Sequence, residues 1–342
     1  KGSAYDFFMS LRVLHEPEEF GLRPSWAAGV RSRLPIPMRE VLEHSQQFLN
    51  VPLSFVYGLP EPKDAASALD ALRAMPPEDR LPALSFNYTS DQQSGEYQQL
   101  LLSLEGKQRL SANLESQIKE GYRPSTRATK AVIRALFDAW IDRAAFGEAL
   151  LNALDSFMEN FYQEEEIRII PAQEKALEKA QRLADQKDVL SVLEELSSGV
   201  RLDMISEVSH LVLAPSFWAA PFVLYDQLDQ NTRIILFGAR PKGMALVPGD
   251  LVPEELINSL KALADPTRLR ILRYLLEGPR TISELAKVLR LRPPTVIHHL
   301  QNLRLAGLVL VTVSPEAERR YSVRMNGIKT TFQGLQEFLS GD

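Results

Sequence analysis

The last ninety or so residues of this 342-residue chain have little freedom in how they fold. Ala264-Asp265-Pro266 precedes a segment in which Leu269, Ile271, Leu272, Leu275 and Leu276 recur, and Gly278-Pro279 closes it. An Asp that can accept amide bonds, followed by a proline whose missing N–H costs nothing in the first turn, predicts a helix start. Thr281 or Ser283 then opens a second helix with Leu285, Ala286 and Leu289 inward, and Arg290-Leu291-Arg292 makes a turn. Pro293-Pro294-Thr295 opens a third helix, where proline is tolerated only in the first turn. Val296, Leu300 and Leu303 share one side of that helix, with His299 close by as a partly buried hydrogen-bonding residue. After Ala306-Gly307, Leu308 to Ser314 alternates against Arg320 to Arg324 across Pro315-Glu316-Ala317-Glu318, which predicts a hairpin. A short helix over Glu254–Leu263 and an amphipathic one over Asn326–Leu339 flank the whole.

Two helices joined by a short turn and followed by a basic β-ribbon are the parts needed to hold one helix in a DNA major groove. The outward set on that helix is Thr295, Ile297, His298, Gln301 and Arg304. Gln301 suits adenine, Thr295 and His298 suit a base or a phosphate, and Ile297 suits a thymine methyl. Arg292 and Arg304 are expected to neutralise phosphates, and Arg319 and Arg320 to approach phosphate or the minor groove from the hairpin. The flanking helices carry more apolar surface than so small a domain buries alone. Pairing Leu256, Leu260, Leu263, Phe332, Leu335 and Leu339 across a two-fold axis would cover it and set two reading helices about one DNA turn apart. Docking on the N-terminal region is the alternative.

Charge divides along the same line. The chain's net charge is -5, yet residues 254 to 342 hold thirteen Lys/Arg against nine Asp/Glu, and the remainder 26 against 35. Basic charge therefore sits with the reading head, and an acidic partner region limits indiscriminate phosphate binding. With no Cys there is no disulfide, thiolate nucleophile or Cys-containing metal site, and only five His remain for other chemistry; no metal and no cofactor are expected. No run of eighteen apolar residues occurs, and a cytoplasmic protein without a membrane partner is expected.

Residues 1 to 250 read as a mostly helical sensor or assembly domain. Helices are expected over Ala4 to Leu14, around Trp26, over Arg39 to Leu49 and Asp64 to Ala74, with an irregular stretch to Ser90. Helical periodicity returns over Asp91 to Ile118 and is strongest over Ala128 to Tyr162. A charged helix over Gln173 to Asp185 and a shorter one through Val192 and Leu193 follow. From about 200 to 240 the period changes to short runs, Arg201 to Ile205, Leu211 to Ala214, Ala220 to Tyr225 and Thr232 to Phe237, read as a small antiparallel sheet. The fold class is thus α+β, predominantly helical, with residues 254 to 342 as the DNA-binding and dimerisation domain. Phe217, Trp218, Phe222, Tyr225 and Phe237 either line a pocket for a small-molecule effector or fill a core. Pro241, Gly243, Pro248, Gly249 and Pro253 mark the boundary between the regions.

The combination of ALADPTRLRIL, a helix-turn-helix ending in HLQNLRLAGLV and the Arg-containing wing resembles the ArsR-type winged-helix transcriptional regulators. That resemblance implies a homodimeric prokaryotic repressor that binds imperfect palindromes. YDFFMSLRVLHEPEEF and SHLVLAPSFWAAPFV look like an uncharacterised large N-terminal domain fused to some family members. Thr281 and Ser283 stand where metal-responsive relatives place paired cysteines, and Ile297-His298 where the family often has Ser-Arg. The metal sensor is therefore absent, and an operator sequence does not transfer.

The leading reading is a homodimeric DNA-binding transcriptional repressor under an unknown signal. Two others stay open: an enzyme within residues 1 to 245, or a protein-interaction module, joined to a regulatory winged helix. Glu164-Glu165-Glu166, His210, Asp226 and Asp229 do not form a compact catalytic signature by spacing. Nor does any stretch resemble a phosphate-binding glycine loop or a His-Glu metal-hydrolase motif.

Overall fold

Side-chain caps set many of the helix starts in the computed structural model, which describes residues 2–86, 92–121, 128–197, 199–202, 208–220, 222–241, 244, 252–314 and 317–340. In chain order the first helices are α1 (Ala4–His15), α2 (Pro24–Arg31), α3 (Ile36–Gln46), α4 (Leu53–Gly58), α5 (Ala65–Ala74) and α6 (Pro77–Ser85). They are followed by α7 (Gln92–Leu102), α8 (Ala112–Gly121), α9 (Lys130–Trp140), α10 (Arg143–Phe157), α11 (Gln163–Ala184) and α12 (Val189–Leu196). Strands β1 (Val200–Leu202), β2 (His210–Ser216), β3 (Leu224–Gln227) and β4 (Thr232–Gly238) come next. The C-terminal region is α13 (Glu254–Leu263), α14 (Pro266–Leu276), β5 (Arg280–Thr281), α15 (Ile282–Leu289), α16 (Pro293–Leu305), β6 (Val309–Ser314), β7 (Ala317–Val323) and α17 (Met325–Ser340). The fold is predominantly helical α+β.

Several expected segments are divided. The periodic run from Ala128 to Tyr162 divides into α9, α10 and a π-helical turn over Met158–Tyr162; the Asp142 carboxylate accepts the Ala145 amide and starts α10 afresh. The run from Asp91 to Ile118 also breaks between α7 and α8, around the positive-φ Gly106. The stretch before Ser90, expected to be irregular, holds α6, whose prolines Pro76 and Pro77 open it instead of excluding it. The charged helix begins earlier than its polar pattern implied, at Gln163.

The chain divides into two compact units: residues 1–17, 23–170 and 225–234, and residues 18–22, 171–224 and 235–342. The core of the first is aromatic. Phe7 meets Tyr162 edge-on at 5.1 Å and Phe157 at 5.6 Å, and all three rings are buried. The Tyr162 hydroxyl donates to the Ser3 carbonyl at 2.7 Å. In α10 a Cβ on Gly147 would lie 2.0 Å from the Pro77 carbonyl oxygen, so glycine permits the close approach of α6.

The second unit holds the whole C-terminal region. Its main core gathers Ile271, Leu272, Leu275, Leu285, Leu289, Val296, Leu300, Leu303, Leu308, Val311 and Tyr321. Two sheets occur, one in the order β2-β4-β3 and one in the order β1-β6-β7-β5. The second corrects an expectation: β1 leaves the small sheet and pairs in parallel with β6, Val200 opposite Val311 and Arg201 opposite Thr312. Alternation alone cannot choose a partner strand. Val200 packs with Leu193 and Ile235, and Leu211, Leu213, Val223 and Val313 close around them, so burial makes the choice. Residues 203–205, the rest of that expected strand, lie outside the described residues, as do the hairpin tip at Pro315 and Glu316 and the boundary residues Gly243, Pro248 and Gly249.

Candidate nucleic-acid interface

Local chemistry fixes the frame of the reading head. Asp265 caps α14 by accepting the Arg268 amide at 2.9 Å, with Pro266 in the first turn. That bond is the main reason the Asp265 carboxyl lies below the usual carboxylate range; the Arg268 charge adds to it. Thr281 and Glu284 form a reciprocal capping box on α15: the Thr281 hydroxyl accepts the Glu284 amide at 3.2 Å and the Glu284 carboxylate accepts the Thr281 amide at 2.8 Å. Glu284 is likewise held low by the Thr281 amide. Arg290 ends α15 with φ 55° and ψ 44°, a left-handed conformation, and the Leu291 amide donates back to Ala286 O at 3.0 Å. Arg292 is extended, and Pro293 starts α16.

Packing then decides which face of α16 is free. Val296, Leu300 and Leu303 are no more than 1% exposed and lock the helix to the core. Thr295, His298 and Gln301 are exposed on the other side with Arg292 at the helix start, and Ile297 is half-buried beside them. His299 is half-buried with Nδ1 3.9 Å from the Asp265 carboxylate; burial lowers its pKa and outweighs the pull of that carboxylate.

Arg304 stands apart from this set. Its guanidinium lies 5.0 Å over the Phe222 ring, and Phe222 meets Phe20 edge-on at 5.3 Å. This aromatic partner of Arg304, built from residues 18–22 and 222, is remote in sequence and was not among its expected contacts. On the wing, Arg319 and Arg320 are exposed, on β7 itself, and strand alternation sends them to opposite faces. Arg320 pairs in register with Thr312 and Thr281 and donates to Pro279 O at 3.4 Å. Glu318 accepts from the Ser283 hydroxyl at 3.0 Å and the Ser283 amide at 3.4 Å, a link between wing and α15 that the sequence did not disclose.

The proposed pairing residues separate as well. Leu256 is buried within its own chain and Leu263 packs on the main core, because α13 packs against both α16 and α17. Ser259 adds a hydroxyl bond to Ala306 O at 3.2 Å. Leu260 and Leu335 are half-buried, whereas Phe332 is 54% and Leu339 74% exposed. Phe338, expected on the apolar side of this helix, and Met325, just before its expected start, are also exposed on α17.

Of the five aromatics weighed for a ligand cavity, Phe217, Trp218 and Phe237 are fully buried, Phe217 against Trp218 and Phe237 among Ala180, Leu183, Val192 and Leu196. Phe222 is taken up by Phe20 and Arg304, and Tyr225 is exposed. Two small hollows in the first unit, one lined by Phe8, Leu11 and Leu49 and another by His15, Arg31 and Glu43, involve none of them. Among the described residues no group of three or more His, Asp or Glu is placed to hold a metal, and no helix is long and apolar enough to cross a membrane.

Helices α13 to α17 with the β5-β7-β6 wing define a winged helix-turn-helix. Residues 265–310 match the family model described as bacterial regulatory protein, arsR family. Over 67 residues, 19% of this chain and 70% of the relative, the sequence is 42% identical to an uncharacterized HTH-type transcriptional regulator of Methanocaldococcus jannaschii. The crystal structure of an ArsR family transcriptional regulator is also similar, with 31% identity, a TM-score of 0.22, and coverage of 29% of this chain and 91% of that chain. The chain belongs to the ArsR family of helix-turn-helix transcriptional regulators, with a large N-terminal region added to the family's DNA-binding domain.

Proposed function

We propose that this regulator is a homodimeric repressor that reads a two-fold DNA site with α16 and answers to a signal taken up by residues 1–250. The observation that carries the DNA reading is the face of Thr295, His298 and Gln301, exposed on a helix whose opposite side is locked into the core. Rigid backing matters because base contacts require side chains held in fixed register against a groove. In this reading Arg292, Arg319 and Arg320 supply phosphate contacts, Ile297 meets a thymine methyl, and Arg304 braces the end of α16. Pairing is through α17, whose Met325, Phe332 and Leu339 recur every seven residues and are each more than half exposed. Residues 254–342 are the DNA-binding and dimerisation part, and residues 1–250 the sensing or assembly part, in a cytoplasmic setting.

The test is competition between one selected duplex and unrelated DNA over a range of salt. Retained preference at high salt supports base readout, because nonspecific attraction is mainly phosphate electrostatics and fades first. Equal loss for all duplexes would defeat it. A reporter under the selected site decides the sign: expression rising on removal of the protein supports repression, and expression falling overturns it.

A further inference from the structure

One hydrogen-bond arrangement on the reading helix has a chemical consequence. Asn302 follows His298 by one helical turn, and its side-chain nitrogen lies 2.8 Å from the His298 carbonyl oxygen and 3.3 Å from His298 Nε2. The carbonyl oxygen accepts only, so the amide end beside it is the NH2 group; the orientation of Asn302 is thereby settled. The same NH2 group then faces Nε2. A protonated Nε2 would set donor against donor, whereas an unprotonated one accepts the second amide hydrogen. The ring proton is placed on Nδ1, and Nδ1–H is the group left for a ligand on an exposed side chain.

We propose that Asn302 is a positioning residue that fixes the tautomer of His298, so that α16 offers an N–H donor and selects a base edge presenting acceptors, guanine in preference to cytosine. Guanine shows O6 and N7 acceptors in the major groove, while cytosine shows an N4 amino donor that meets Nδ1–H unfavourably. This rests on α16 being the helix that reads DNA. His298 stands on the exposed face with Gln301 and Thr295, and Asn302 is half-buried behind it, so one residue makes the contact and the other sets its polarity.

The test uses the full chain and two readouts. Long-range 1H–15N spectra of histidine-labelled protein show which ring nitrogen carries the proton, with His298→Ala supplying the assignment. The wild type is expected to show an unprotonated Nε2, and Asn302→Ala a mixture of tautomers. In parallel, duplexes selected from a random pool are re-measured with each base pair inverted in turn. Asn302→Ala should lose about fivefold in discrimination at one G·C position, the same one lost in His298→Ala, and the double variant should be no worse than His298→Ala alone. The proposal is overturned if Asn302→Ala leaves the tautomer unchanged, weakens all duplexes alike, or alters a position that His298→Ala does not. A wild type that selects no sequence defeats the DNA reading itself, and the spectra still decide whether Asn302 controls the ring.

Discussion

At the scale of single residues, Arg290 carries the sharpest conformational demand. A left-handed, non-glycine residue is strained by about 1–2 kcal/mol, and glycine returns part of that gain as extra freedom in the unfolded chain. Arg290→Gly is therefore expected to stabilise the protein by about 0.5 kcal/mol in urea unfolding; a loss of stability would mean the Arg side chain makes a stronger contact than its exposure implies. Asp265 gives a pH prediction. Its folded pKa is depressed, first by the Arg268 amide, so as pH falls the unfolded chain takes up the proton before the folded one. Its contribution is full above the ordinary carboxylate range and is lost as pH falls through the folded pKa. Asp265→Asn keeps an acceptor for the cap and does not titrate, so the variant should stay near wild type at neutral pH and lose less stability on acidification. Matching stability profiles from pH 7 down to acid would reject this. Arg304 and Phe222 should show a coupling of about 0.5–1 kcal/mol in a double-mutant cycle of unfolding, with Arg304→Ala leaving the salt slope of DNA binding unchanged.

At the scale of elements, the parallel pairing of β1 with β6 joins segments more than a hundred residues apart. Gly199 makes the entry possible: at φ +109° a Cβ would sit 3.0 Å from Leu310 Cδ2 and 3.1 Å from Arg324 Cδ. Gly199→Ala should cost about 2 kcal/mol, and amide exchange should quicken at Val311, whose N–H donates to Gly199 O at 3.1 Å. Unaltered protection at Val311 would show the strand pair to be held by side chains alone. The α16 helix depends on burial in the usual way, and Leu300→Ala should cost about 2–5 kcal/mol in unfolding experiments and abolish DNA binding with the fold. Its signals were legible in sequence because first-turn prolines and i, i+3, i+4 spacing are local. The split of the long periodic run at Asp142 was not, since a helix that restarts keeps the same apolar spacing on both sides of the break.

For the whole molecule, the exposed apolar side of α17 is the surface on which assembly is expected to turn. Phe332→Glu with Leu339→Glu should convert a dimer to monomers in sedimentation velocity and weaken binding to a two-fold site by about a hundredfold, as the second half-site is no longer tethered. A dimer that survives both changes would place the interface elsewhere. Of the six residues expected to pair across a two-fold axis, Leu256 and Leu263 also pack within the chain, because periodicity shows only that a face is apolar and not what covers it.

The helix-turn-helix, the Asp265 cap, the apolar side of α16 and the family were legible in the sequence alone, since all of these follow from interactions within one or two turns of chain, while the start of α15 lay between Thr281 and Ser283 until the Thr281–Glu284 capping box placed it. Only the tertiary structure decided that Arg304 stacks on Phe222, that β1 extends the wing sheet, and that the aromatics Phe217, Trp218 and Phe237 are spent on packing. Those outcomes depend on which distant surfaces exclude water together, and burial between remote segments leaves no spacing in the chain to read.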